Sequence, residues 1–262
     1  MSLNIEAIAD RLIEARKTNT PVDKVFPTED GLSVALAIQV QQEIIRKEVE
    51  EGGRIAGFKL GNIAAAMQNK FGVDQPDFGY LMERLFHFER VPVSPDNFIS
   101  PYVELEPAFV LKHDLQGSQV TVADVISATD YVLPALEIID SRVKDWKIGI
   151  YDTLADCGSV GGVILGAQPR QISELDLTNT AGEILINGKV VAQGNTGDIY
   201  GNPVSAIAWV CRRVAEFGIG FKKGDIILAG SCLAAVEMTP NTAITGRFAN
   251  WGEVSFEYRN GK

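Results

Sequence analysis

Two long apolar runs with acidic residues set inside them constrain this chain more than any other feature of it. Residues 103–112 read VELEPAFVLK and residues 131–139 read YVLPALEII. Both are strand-like in length and texture. On a strand, residues two apart project to one face, so Glu104 and Glu106 point together. Their neighbours Val103, Leu105, Ala108, Phe109 and Leu111 are core residues by type. Two carboxylates side by side in such surroundings repel and lose solvation, so one is protonated or a cation binds both. Glu137 is the one charged residue of its run, and an unpaired buried carboxylate is costly or titrates away. Three oxygen ligands on rigid strands suit a hard cation such as Mg²⁺ or Mn²⁺. Two other readings of the same residues stay open at this point. Glu104 and Glu106 would meet water on a solvated face, or Glu137 would be a buried acid paired with Arg142 or Lys59.

Around these runs the order of elements is legible. Ile5, Ile8, Ala9, Leu12 and Ile13 keep helical spacing over residues 5–17, and Pro21 and Pro27 break it. A second helix is predicted over roughly residues 31–51, closed by Gly52-Gly53. The texture then turns to β: residues 54–60 (RIAGFKL), the two acidic runs, 161–166, a hairpin over 182–191 with Asn187-Gly188 at its turn, 225–229, and a closing hairpin over 243–258. Helices are predicted at 122–128 and 203–217. Helices first and many strands afterwards point to an α+β or β-roll architecture rather than repeated βαβ units. No GxGxxG, P-loop, internal repeat or low-complexity linker is present.

Composition narrows the function by exclusion. The 262 residues are 46% hydrophobic and 22% charged, ordinary for a globular chain. A net charge of −10 offers no basic stripe for phosphates and argues against nucleic acid as a partner. It leaves an anionic substrate open, because a bound metal inverts the local field. Cys157, Cys211 and Cys232 show no CxxC spacing, which argues against a disulfide framework and a zinc site and fits a reducing cytoplasm. The amino-terminal stretch is punctuated by charges and reads as an amphipathic helix, not as a signal peptide or membrane span.

Three other residues are candidates. Lys59 lies in Gly57-Phe58-Lys59-Leu60-Gly61, where a lysine either snorkels outward or points into a site as a cation for a carboxylate. Asp77 follows Pro76 in a segment with turn chemistry at both ends; it caps a helix, forms an Asx-turn, or faces a pocket as an acid or base. Ser231 follows Leu228-Ala229-Gly230 at an expected strand end, where a hydroxyl or backbone NH can meet a ligand, with no GxSxG elbow around it. His87 and His113 carry no metal spacing and are read as structural.

With those residues in view, the chain resembles the 2-oxopent-4-enoate (2-hydroxypentadienoate) hydratases and the related 4-oxalocrotonate decarboxylases of the fumarylacetoacetate hydrolase superfamily. The matching pieces are GFKLG, GVDQPDFG, VELEPAFVL, YVLPALEIIDSR, DTLAD at 152–156, GNPVSAIAWV and GDIILAGS, and they run in order from about Leu32 onward. The resemblance implies a fumarylacetoacetase-like mixed β-roll with N-terminal helices: a helical segment, 1–53, packed on a β-rich catalytic domain, 54–262. It implies a metal, Mg²⁺ or Mn²⁺, on Glu104, Glu106 and Glu137, and a substrate site lined by Lys59, Asp77 and Ser231. Lys59 would steady the developing enolate or the substrate carboxylate, and Glu106 or Asp77 would move protons.

The implied reaction is hydration of a 2-hydroxy-2,4-dienoate, through its 2-oxo-enoate tautomer, to a 4-hydroxy-2-oxo acid in aromatic meta-cleavage catabolism. The partners would be that small acid and further copies of the chain, with a related decarboxylase or an aldolase as a further associate. Two alternatives are a decarboxylase of a 2-oxo-3-enedioate and a weakly active partner subunit of a hydratase–decarboxylase complex. The chain departs from the family pattern twice, with Gly61-Asn62-Ile63-Ala64 where GLTS is common and Ala155-Asp156-Cys157-Gly158-Ser159 where ADNAS is common.

On this reading Glu106→Gln lowers the affinity for Mg²⁺, measured calorimetrically, and leaves the far-UV circular dichroism unchanged. A variant that binds Mg²⁺ as tightly as the parent removes Glu106 from the ligand set.

Overall fold

The helical spacing at the front of the chain folds into two capped helices. In the computed structural model, which describes residues 4–26, 32–65, 68 and 75–261, α1 spans Ile5–Thr18 and α2 spans Val34–Glu50. The Asn4 side chain accepts from the Ala7 N–H, and the Ser33 side chain accepts from Leu36, so each helix starts on a satisfied N-cap. Ile8, Ala9, Leu12 and Ala15 form the buried stripe of α1. Pro27, Gly31, the start predicted for the second helix, and the first three residues of GVDQPDFG lie outside the described residues.

The remaining elements follow in order: β1 (Ile55–Gly61), β2 (Asp77–Met82), β3 (Phe86–His87), β4 (Tyr102–Leu111), α3 (Val122–Ala128), β5 (Thr129–Ile139), α4 (Ile150–Ala155), β6 (Val160–Leu165), β7 (Ala181–Ile186), β8 (Lys189–Asn195), α5 (Pro203–Ala215), β9 (Ile226–Leu228), β10 (Val236–Glu237), β11 (Thr242–Phe248) and β12 (Gly252–Tyr258). Among the described residues they form a large mixed sheet in the order β2-β1-β9-β4-β5-β6-β3, with β10 on β4, and a smaller sheet in the order β12-β11-β7-β8. This is the mixed α+β arrangement with leading helices that the sequence predicts. The predicted hairpin turn sits between β7 and β8, where Asn187 (φ 51°) and Gly188 (φ 78°) both take the left-handed conformation that a two-residue hairpin requires.

β4 and β5 pair antiparallel over nearly their whole length and form the spine of the large sheet. Because side chains alternate, their two faces have different work. Leu105 and Leu136 are cross-strand partners facing the smaller sheet, and β11 approaches them at Gly246. A Cβ on Gly246 would lie 2.7 Å from Leu136 Cδ2 and 2.8 Å from Leu105 Cδ1. The opposite face of the same two strands carries Glu104, Glu106 and Glu137.

Two features depart from what propensity suggests. Pro107 and Pro134 face each other in central strands, where proline is ordinarily excluded for want of an N–H. Each sits where its strand begins pairing outward, at Ala108 with β9 and at Ala135 with β6, and its carbonyl still accepts from Ala229 or Gly166, so only the proline's own missing N–H is forgone. Asp77, expected in a loop, instead opens β2 opposite Gly61; the antiparallel partner overrides the local turn chemistry. The short helix α4 is also absent from the sequence reading, as six residues are too few to show a period.

Gly246→Val is expected to destabilise the fold by about 1–3 kcal/mol through overpacking, read by urea denaturation. A variant as stable as the parent would mean that the two sheets do not meet at this point.

Candidate metal centre and active site

The register of β4 and β5 builds the acidic centre. Glu104 stands directly opposite Glu137, and Glu106 stands two residues further along the same face. All three are buried, and each offers a carboxylate oxygen within 4.8 Å of the others. Glu106 Oε2 accepts the Gly230 N–H at 2.8 Å. Glu106 Oε1 and both oxygens of Glu137 are buried with no hydrogen-bond partner. Buried polar atoms are ordinarily satisfied, so oxygens without a hydrogen-bond donor are what a cation-binding group of carboxylates would present. The donor set is all oxygen and all carboxylate, which fits a hard divalent cation with coordination positions left for substrate or water.

Lys59 reaches this centre from β1 and does not snorkel outward. It is buried, with Nζ 3.3 Å from Glu137 Oε1, 3.6 Å from Asp77 Oδ1 and 2.9 Å from the Gly158 carbonyl oxygen. The reading of Glu137 as one half of a buried ion pair is therefore correct for Lys59 and not for Arg142, whose Nε binds Asp156 Oδ1 at 2.6 Å. One ammonium does not satisfy three glutamates and Asp77, and the orphaned oxygens remain.

Asp77 is held from one side. Its Oδ2 accepts from Thr153 Oγ1 at 2.9 Å and from Asn62 Nδ2 at 3.4 Å, while Oδ1 is buried without a hydrogen-bond partner. A narrow cavity opens here, lined among others by Lys59, Asn62, Asp77, Glu104, Trp146 and Thr153. Two glycines make the space. A Cβ on Gly61 would lie 2.1 Å from Asp77 Oδ1, and one on Gly158 would lie 2.7 Å from Lys59 Cδ. Gly158 also sits at φ 64°, between Cys157 at φ 52° and Ser159 at φ 56°. This run of left-handed residues turns the Gly158 carbonyl towards Lys59. Both departures from the family pattern thus lie at this cavity: Asn62 adds a hydrogen bond to Asp77, and Gly158 gives Lys59 room.

Burial and mutual repulsion govern the protonation of the centre. Burial, then the charge of Glu137, pushes the Glu104 carboxyl up to about 8. Burial, Glu137 and Glu104 push Glu106 well above the ordinary carboxylate range. Burial also raises Glu137, against the pull of Lys59. For Lys59 burial acts downward, but the surrounding carboxylates prevail and hold it raised as an ammonium. Shifts of this kind cluster at functional sites and also arise in structural ion-pair networks.

Ser231 is buried close by, but its hydroxyl donates to the Leu233 carbonyl at 2.9 Å and is engaged in a turn. The neighbouring Gly230 N–H is what meets Glu106. His87 is half-buried, its pKa lowered by burial, and lines a different cavity; His113 is exposed. Sequence reasoning missed Thr153, and it named Asn62 and Gly158 only as departures from the family pattern. A hydroxyl in DTLAD was the one available signal for Thr153, since each polar side chain of that stretch is used. Asp152 accepts the Val25 and Phe26 N–H groups, Thr153 holds Asp77, and Asp156 holds Arg142.

No protein-family model matches the chain. Among proteins of known function, it is 36% identical over 228 residues to the 2-keto-4-pentenoate hydratase of Burkholderia vietnamiensis (strain G4 / LMG 22486), covering 87% of each chain. Among solved structures, the 4-oxalocrotonate decarboxylase from Pseudomonas putida G7, complexed with magnesium and adipate, superposes with a TM-score of 0.93 at 31% identity, over 98% of this chain and 99% of that one. A fumarylacetoacetate hydrolase family protein from Yersinia pestis CO92 shares the fold with a TM-score of 0.60 at 18% identity, over 77% of this chain and 91% of that one.

Between the ordinary carboxyl value of 4.5 and the raised value of about 8 at Glu104, the metal-free folded protein keeps protons that the unfolded chain releases. Stability therefore falls as pH rises through that window. A divalent cation favours the deprotonated carboxylates and reverses the loss. Mg²⁺ should raise the Tm more at about pH 8 than at about pH 5. An equal shift at both values would contradict the assignment.

Proposed function

This chain belongs to the 2-keto-4-pentenoate hydratase / 4-oxalocrotonate decarboxylase family of the fumarylacetoacetate hydrolase superfamily, and from that premise we propose how its residues divide the work. It is a hydro-lyase of the 2-keto-4-pentenoate hydratase type, acting on 2-hydroxy-dienoates of meta-cleavage pathways. The observation that carries the assignment of roles is the charge pattern of the centre: three buried glutamates with orphaned oxygens, beside one buried ammonium.

Glu104, Glu106 and Glu137 would hold a divalent cation, Mg²⁺ or Mn²⁺. When bound, it supplies Lewis-acid polarisation of the substrate's carboxylate and 2-oxygen. Lys59, kept charged by its carboxylate neighbours, is placed to stabilise negative charge that develops on the 2-oxygen as an enolate forms. Its Gly158 contact and the packing of its stem fix the ammonium before substrate arrives, so little reorganisation accompanies the reaction.

Asp77 is the proton carrier this geometry supports best. Thr153 and Asn62 occupy Oδ2, which leaves Oδ1 towards the cavity as the oxygen that takes and returns a proton. Protonation of the terminal carbon of the dienol gives a conjugated 2-oxo-enoate. Water then adds its oxygen at C4, β to the carbonyl, and a proton returns to C3. The product is the 4-hydroxy-2-oxo acid. Glu106, anchored by Gly230, would serve the metal rather than the proton. Ser231 would act through the turn that presents Gly230, with its hydroxyl already engaged. Assembly into a homo-oligomer, alone or with a related decarboxylase or aldolase, rests on family membership.

The likeness to a decarboxylase structure gives the second reading a definite test. With freshly generated 2-hydroxypenta-2,4-dienoate and Mg²⁺, the protein should form 4-hydroxy-2-oxopentanoate, and EDTA should abolish the reaction. Release of CO₂ from a 2-oxo-3-enedioate without water addition to the dienoate would favour the decarboxylase. Lys59→Met should lower kcat by about 10²-fold or more, in line with the loss of one stabilising donor at a developing oxyanion. A variant with kcat within a few-fold of the parent would remove Lys59 from that role.

A further inference from the structure

Away from the cavity at Lys59 and Asp77, Arg16 is a partly buried cation that makes no hydrogen bond or ion pair among the described residues. It lies in the last turn of α1 and enters a cavity of about 190 Å³ that is also lined by Arg84, His87, Asn97, Asp140 and Arg142. None of these residues lines the cavity at Lys59 and Asp77.

The carboxylates nearby are committed elsewhere. Glu48 takes the Arg84 guanidinium in two hydrogen bonds, at 2.8 and 2.6 Å. Asp156 takes Arg142 Nε at 2.6 Å. Asp140 accepts the N–H groups of Ile99 and Ser100, the latter at 2.7 Å. Among the described residues, Arg16 is left with no hydrogen bond or ion pair. Burial and then the charges of Arg142 and Arg84 push its pKa down to about 10, outweighing the opposing charge of Asp156.

A position in the last turn of a helix gives an arginine a modest favourable interaction with the helix dipole. That does not replace the solvation lost beside two other guanidiniums. A small anion does, and guanidinium forks bind planar or tetrahedral oxyanions in paired, charge-assisted hydrogen bonds. We propose that this cavity is a binding site for a small oxyanion of the carboxylate or phosphate class. Arg16 is its principal ligand, and Arg84, Asn97 and the imidazole of His87 are its further donors. In a chain of net charge −10, a concave patch with three arginines and one committed carboxylate is a local reversal of field, which gathers anions.

The test uses the full-length protein in thermal denaturation. Sodium phosphate and sodium malonate are titrated separately against sodium chloride at matched ionic strength, and sedimentation velocity is run on the same samples. The parent should show a saturable rise in Tm with one of the two anions beyond the chloride response, and the arm that responds identifies a phosphate or a carboxylate site. Arg16→Met should weaken that response about tenfold or more, and Arg16→Lys should retain part of it. Without anion, Arg16→Met should be no less stable than the parent, because it removes an uncompensated charge. Three results would each overturn the proposal: no response beyond chloride in the parent, an undiminished response in both variants, or a change of oligomer mass in Arg16→Met. The last would mean that Arg16 serves an acidic group of a second copy of the chain.

Discussion

Four carboxyl groups face one ammonium in the interior of this protein. Glu104, Glu106, Glu137 and Asp77 are all buried, and Lys59 is the cation among them. Removing that many like charges from water is among the costlier things a fold does, and one buried ammonium offsets only part of it. The consequences are visible in the centre itself. The three glutamates are driven towards their neutral forms, Lys59 is driven towards its charged form, and several oxygens find no hydrogen-bond donor. A divalent cation held by the three glutamates would resolve the imbalance, with the oxygen ligands already gathered.

Much of the surrounding structure reads as support for that arrangement. The long β4–β5 ladder fixes the spacing of the glutamates, and its other face buries Leu105 and Leu136 against the smaller sheet. The apolar side of the same strands thus helps to offset the cost of the acidic side. Gln41 of α2 donates to the carbonyls of Phe78 and Leu154, at 3.0 and 2.5 Å, and so ties β2 to α4. That link sets Asp77 and Thr153 at hydrogen-bond distance. Arg142, also buried, holds Asp156 and the Val160 carbonyl and so braces the left-handed turn that aims Gly158 at Lys59. A fixed, desolvated set of donors and acceptors is what stabilises charge in a transition state most effectively.

The glutamates were legible in the sequence because each is an acid inside an aliphatic run, and period two alone puts Glu104 and Glu106 on one face. That Glu137 stands opposite Glu104 was not legible, since strand register is a property of the pair and not of either strand. Lys59 was visible as a charge between glycines and large apolar residues, yet its target became clear only with the sheet order, which carries it across β9. Asp77 illustrates the limit from the other side. Proline and aspartate carry strong turn signals, but the pairing of β2 with β1 outweighs them. Thr153 and Gly158 are ordinary residues in sequence, and their importance arises from what lies beside them. For Ser231 the strand-end context left a hydroxyl or a backbone NH open as the group in contact; the adjacent Gly230 amide meets Glu106, and the hydroxyl is engaged in a turn.

The account stands or falls on whether a cation occupies the space enclosed by Glu104, Glu106 and Glu137. Anomalous diffraction from crystals grown with Mn²⁺ addresses this directly. The account predicts one strong peak within about 2.0–2.6 Å of an oxygen from each of the three glutamates, with Lys59 still bridging towards Glu137 and Asp77. A peak elsewhere, or none at saturating Mn²⁺ while the three side chains keep their positions, would contradict it.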